Sequence, residues 1–232
     1  MIKKLCAILG VVALLSACGG GGSTPNSPTA PPTTTPPAAN RAPVINGISV
    51  NPTFGIATFT SYTFSSNASD PDNDTLTYTW DLAGNARTGA SQTIVFSSGG
   101  NGTGTLTVAD GRGGSTTQGV NFVSATGSGN WSASVPFSTG PRPMSLSLTQ
   151  SSTSGAITGT WGVPSLGTTG NLDPAVQNGI DANGRVVLRF KITQGGAFND
   201  FTFTGQMQQN GTSIVGNVSG SGFGGQSMTL TK

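Results

Sequence analysis

The sequence predicts an all-β protein: a two-layer β-sandwich followed by a small eight-stranded up-and-down β-barrel, behind a disordered Pro/Thr-rich tether. Three observations predict it. Apolar residues recur at every second position in short runs, as in Leu76, Tyr78 and Trp80 set against Thr75, Thr77, Thr79 and Asp81. Gly, Asn and Asp clusters separate the runs, and the 36 glycines among 232 residues let the chain turn often. No stretch of useful length carries apolar residues at helical spacing; residues 172–182 offer one helical turn at most.

The chain opens with Lys3 and Lys4, a short apolar run from Leu5 to Leu15, and then Leu15-Ser16-Ala17-Cys18. The run is shorter than the roughly 20 apolar residues a spanning helix needs, and charge, length and small-residue ending agree with a secretion signal. The pattern resembles the lipobox of bacterial lipoproteins. That resemblance implies cleavage after a signal peptide of residues 1–17, a diacylglycerol thioether on Cys18 and a fatty acyl chain such as palmitate on the new amino terminus. It places the chain in a bacterial cell envelope, attached to the membrane through Cys18. Gly19 follows the cysteine, where enteric-type bacteria often use an aspartate for inner-membrane retention, so a diderm source implies the outer membrane. Residues 18–40 then read as a lipidated tether. Gly19 to Gly22 is flexible, and the Pro-rich remainder extends at about 3.1 Å per residue.

Residues 41–124 read as the first β domain. Val44, Ile45, Ile48 and Val50 open it and Pro52 ends that strand; Tyr62 with Phe64, the Leu76–Trp80 run, Ile94 with Phe96, Leu106 with Val108, and Val120 with Phe122 follow. About seven strands over roughly 85 residues match a small Ig-like sandwich. The run Ser69-Asp70-Pro71-Asp72-Asn73-Asp74-Thr75-Leu76-Thr77-Tyr78-Thr79-Trp80-Asp81 resembles the core motif of PKD-type repeats and their cadherin-like relatives, and Thr105-Leu106-Thr107-Val108-Ala109-Asp110-Gly111-Arg112-Gly113-Gly114 resembles their late-strand motif. The chain departs from the PKD pattern at Leu82-Ala83-Gly84-Asn85, where such repeats usually carry an aromatic residue and a Gly-Asp-Gly turn. The resemblance implies an extracellular spacer, adhesive unit or carbohydrate-proximal accessory.

Residues 125–129 (Ala-Thr-Gly-Ser-Gly) read as a hinge, and residues 130–232 as the barrel. Its alternating sets are Trp131, Ala133, Val135 and Phe137; Met144, Leu146 and Leu148; Ile157, Gly159 and Trp161; Val186, Leu188, Phe190 and Ile192; Phe201 and Phe203; Ile214, Gly216 and Val218; Met228 and Leu230. Asn183-Gly184 and Asn210-Gly211 are hairpin signals. A meander of hairpins leaves two exposed edges unless it closes, so the barrel is the economical solution. Gly129-Asn130-Trp131 and Gly155-Ala156-Ile157-Thr158-Gly159-Thr160-Trp161 resemble the opening of avidin- and lipocalin-like barrels. No tryptophan follows Trp161, so the resemblance does not extend to an avidin-type biotin site.

Composition narrows the chemistry. Without Lys3 and Lys4 the chain carries eight basic and eight acidic side chains, and this neutral balance gives no footprint for nucleic acid. There is no His and no Glu, and after processing the one cysteine is Cys18. A Ser or Cys nucleophile thus lacks its His base, and zinc lacks its ligands. Hard cations remain, because aspartate oxygens suit them. Asp70, Asp72 and Asp74 alternate along one loop, and with Asp110 as a fourth donor they form a candidate calcium site. Asp173 and Asp181 sit in turn sequences rather than in a glycosidase arrangement. Trp131 and Trp161 read first as barrel packing; the other reading puts one at a pocket mouth, stacking on a sugar or apolar ligand. The expected function is a non-enzymatic envelope lipoprotein, surface-exposed or periplasmic, serving as an adhesion or structural binding module for an envelope protein or a glycan. The alternative is a lipid-anchored carrier holding a small apolar or sugar ligand inside the barrel.

Overall fold

The computed structural model describes residues 37–194, 200–220 and 222–232. The signal segment, Cys18 and the tether up to residue 36 lie outside the described residues. Ala39–Lys232 forms one compact unit containing two β bodies.

Eight strands build the first body: β1 (Val44–Asn51), β2 (Phe54–Ile56), β3 (Ser61–Ser69), β4 (Thr77–Leu82), β5 (Asn85–Thr88), β6 (Ser91–Val95), β7 (Gly100–Ala109) and β8 (Ser115–Ala125). They make a sheet in the order β1-β3-β6 and a facing sheet in the order β2-β8-β7-β4-β5. All pairs are antiparallel except β2 with β8. Period-two alternation drives the core between the sheets: Tyr62 and Phe64 of β3, Trp80 and Leu82 of β4, Leu106 and Val108 of β7 and Phe122 of β8 are all buried. Phe96 and Phe122 stack with ring centroids 4.6 Å apart, and Phe64 meets Phe122 edge-on at 5.3 Å. The one polar atom of the buried Trp80 is satisfied, since its Nε1 donates to the Gly89 carbonyl at 2.9 Å.

The second body is an antiparallel meander of β9 (Gly129–Phe137), β10 (Gly140–Gln150), β11 (Ile157–Val163), β12 (Thr168–Leu172), β13 (Gly179–Ile180), β14 (Arg185–Gln194), β15 (Phe201–Met207), β16 (Ser213–Gly220) and β17 (Phe223–Thr231). β17 pairs back onto β9, and β12 pairs with β14. The ring therefore closes on eight strands, with β13 a short addition beside β14. Closure removes the free edges that an open meander would present. The helical turn expected at 172–182 is absent. Asp173 instead accepts the Ala175 N–H at 2.9 Å, which folds the segment into turns, and a 3-10 turn lies at Pro164–Leu166.

Side chains fill the barrel. Phe190 stacks on Phe201 at 4.6 Å, and Trp161 meets both edge-on at 5.7 and 5.6 Å. Phe223 joins Phe201 to Phe137 at 5.3 Å on each side. At the seam where β12 leaves β11, the buried Asn178 ties three segments together. Its Oδ1 accepts the Arg189 N–H at 2.6 Å, its Nδ2 donates to the Asp173 carbonyl at 2.8 Å, and its own carbonyl accepts the Ile157 N–H at 2.9 Å.

The segment expected as a hinge is instead a pinned crossing. Gln150 Oε1 accepts from Thr126 Oγ1 at 2.9 Å and from the Gly127 N–H at 2.7 Å, and Lys232 Nζ donates to the Thr126 carbonyl at 3.1 Å. Small residues serve close approach here: a Cβ on Gly127 would lie 2.5 Å from Ile157 Cδ1. Across the joint, Ile56 and Ala125 of the sandwich belong to the barrel's own buried cluster, with Phe54 packed against it.

Candidate functional site

Two loops at one end of the sandwich share a design. Asp70 Oδ1 accepts the N–H groups of Asp72 at 2.8 Å and Asp74 at 3.1 Å. Asp110 Oδ1 accepts those of Arg112 at 2.7 Å and Gly114 at 3.0 Å. In both loops an aspartate satisfies the backbone two and four residues ahead, the habit that makes it a turn former. Each loop is then bound to another segment. Arg41 donates to Asp72 from Nη2 at 2.7 Å and Nε at 2.9 Å, and from its backbone N–H at 2.8 Å. Arg112 reaches across to Asp74 at 2.7 Å, and Asn40 donates to Asp110 Oδ2 at 2.7 Å. The hydrogen bonds from Arg41 hold the Asp72 carboxyl below its ordinary value, and those from Asn40 and the Arg112 backbone do the same for Asp110.

The structure brings Asp70, Asp72 and Asp74 together, with one ligand-type oxygen from each within 4.8 Å of the others. It does not bring Asp110 into that group. Both Asp110 oxygens are engaged in holding its own loop and Asn40, so the expected fourth donor is a structural fastening. Asp72 likewise spends both oxygens on Arg41. Sequence reasoning missed Asn40, Arg41 and Arg112. Their partners lie 70, 31 and 38 positions away along the chain, and only the folded arrangement of the loops reveals them.

Trp131 and Trp161 point into the barrel and are 2% and 3% exposed. Trp131 Nε1 donates to the Gly127 carbonyl at 2.9 Å and Lys232 Nζ lies 4.7 Å above its ring; Trp161 is enclosed by Phe190 and Phe201. Neither indole presents a stacking face to solvent, because alternation assigns both to the inner wall. The outer wall behind them carries a groove of about 700 Å³. The register aligns two cross-strand rungs there, Asn130-Ser147-Thr160-Asn171 and Ser145-Gly162-Thr169. With strands about 4.8 Å apart, the first rung spans about 14 Å. The signal was legible as the serines and threonines alternating with core residues, but not its alignment. Asp173 and Asp181 serve as turn formers: Asp181 Oδ1 accepts the Asn183 and Arg185 N–H groups, both at 2.9 Å.

Residues 40–124 match the PKD domain family. The two acidic loops and the buried Trp80 all lie inside the matched region. One solved structure, described as "Structural basis for the promiscuous specificity of the carbohydrate-binding modules from the beta-sandwich super family", is similar at 17% identity with a TM-score of 0.36, over 84% of this chain and 86% of that one. No curated protein matches the chain.

Proposed function

We propose that the chain is a non-enzymatic, lipid-anchored binding module of a bacterial cell envelope, in the outer membrane where the source is diderm. The PKD-type sandwich serves as spacer and the barrel presents the contact surface to an envelope glycan or protein. The filled barrel interior carries this reading. Trp161, Phe190, Phe201 and Phe223 occupy the space a carrier would keep open, so contact falls to the outside of the barrel. The groove, where the hydroxyl and amide groups of Asn130, Ser147, Thr160 and Asn171 sit beside apolar surface from Leu146 and Pro164 and where no charged side chain enters, suits a neutral polymer that offers both hydroxyl groups and apolar faces. The aspartates that an acid–base mechanism would need are committed to turns or to arginines, which supports a role without catalysis.

Anchoring and contact are tested separately. Metabolic labelling with an alkyne fatty acid should mark the protein in its own cells, and Cys18→Ser should abolish both label and membrane retention. Unlabelled protein released freely into the medium defeats the anchoring claim. Binding of the purified protein to isolated envelope polysaccharide and peptidoglycan fractions should fall at least tenfold for Ser147→Arg with Thr160→Arg. Unchanged binding by that variant removes the groove from the proposal.

A further inference from the structure

We infer that Asp70 and Asp74 form a calcium site beside Asp72 and Arg41, independent of the barrel groove. Each carboxylate uses one oxygen structurally, Asp70 Oδ1 for the turn and Asp74 Oδ1 for Arg112. The other oxygens, Asp70 Oδ2 and Asp74 Oδ2, are buried and have no hydrogen-bond partner. The Asp74 side chain is 10% exposed, so water does not solvate it as it would a surface carboxylate. A buried carboxylate oxygen left unpaired is costly, and two of them in one cluster repel. Charge counting leads to the same point. Within the cluster Asp72 is paired with Arg41 and Asp74 with Arg112, which leaves Asp70 without a countercharge that a bound cation would supply.

The chemistry selects the ion. The donors are all oxygen, which suits a hard cation, and the loop offers an irregular cluster rather than an octahedron. Calcium tolerates irregular geometry and completes its six to eight ligands with carbonyls and water, whereas magnesium demands near-ideal geometry. Two carboxylate ligands give weak binding, with Kd on the order of 10⁻⁴ to 10⁻³ M, as in extracellular modules. This revises the four-aspartate set expected from sequence: Asp72 and Asp110 do not ligate but hold Arg41 and Asn40 beside the ion. Calcium binding is thereby linked to the docking of Asn40 and Arg41.

The test is thermal unfolding of the whole processed chain, stripped of metal, in millimolar calcium or in chelator at matched ionic strength. At ten times Kd, calcium should favour the folded state about eleven-fold and raise the midpoint, with magnesium giving less. Asp74→Asn should abolish the calcium shift. Arg112→Ala, at a residue whose side chain is 70% exposed, should strengthen it by removing a competing cation. An unchanged wild-type midpoint, a shift that survives in Asp74→Asn, or a shift that weakens in Arg112→Ala overturns the inference. If Asp74→Asn does not fold, the wild-type and Arg112→Ala results decide.

Discussion

Replacing Ile56 with Ala should weaken the barrel although the residue belongs to the sandwich. Ile56 is 1% exposed and lies in the same buried cluster as Val186, Met207 and Ile214. A Cβ on Gly184 would come 3.2 Å from its Cδ1, which shows how closely the two bodies meet. The substitution removes three carbons, at about 0.8 kcal/mol each, or about 2.4 kcal/mol in transfer energy. Incomplete relaxation around the cavity adds about 1 kcal/mol, for a total of about 3–4 kcal/mol, inside the usual range for Ile→Ala. At about 2–4 °C per kcal/mol for a unit of this size, the midpoint should fall by about 6–16 °C. Calorimetry measures the shift, and hydrogen exchange read by mass spectrometry locates it. Peptides from β14 and β15 should lose protection together with those from β7. Val95→Ala, at a position 48% exposed, should change stability by less than about 0.5 kcal/mol and serves as control. If Ile56→Ala loosens β7 while β14 and β15 keep wild-type protection, the bodies are not coupled through this residue and the reasoning fails.

Three further outcomes are expected. Asn178→Ala keeps the backbone bond to Ile157 but leaves the Arg189 N–H and the Asp173 carbonyl without their side-chain partner, which should cost about 1–3 kcal/mol in a urea titration. Gly170→Ala would place its Cβ 2.0 Å from the Lys191 carbonyl oxygen and 2.7 Å from the Trp161 ring, neither of which can yield easily; it should cost about 3 kcal/mol, the upper end for overpacking, and broaden the near-ultraviolet tryptophan signal. Because Asp72 titrates below its ordinary 3.8 in the folded state, its contribution is fully present above that value and is lost as pH falls through the lower, folded one; Arg41→Ala should therefore raise the pH of acid unfolding, followed by circular dichroism.

The strands were legible because their cause is local. Met144, Leu146 and Leu148 alternate with serine, and that pattern alone turns them inward. Trp131 and Trp161 were readable as packing for the same reason. β12 was harder, since Thr168-Thr169-Gly170-Asn171-Leu172 lacks a strong apolar alternation and becomes a strand through its partners on both sides. The crossing at 125–129 misled because Gly and Ser there signal freedom by composition, while the fold uses them for contact. The acidic loop showed its convergence in the one-in-two spacing of its aspartates. Its two arginines stayed hidden, because they approach from the segment before β1 and from the β7–β8 loop, whose positions the local sequence does not specify. Ile56 was invisible as a barrel residue for the same reason: nothing in Phe54-Gly55-Ile56 names the surface it will meet.

The plug that Ile56 and Ala125 form has an evolutionary consequence. A break between residues 125 and 129 here would open a hole in one neighbour and expose a greasy knob on the other. Moving either body alone would therefore require matching changes on both sides of the cut.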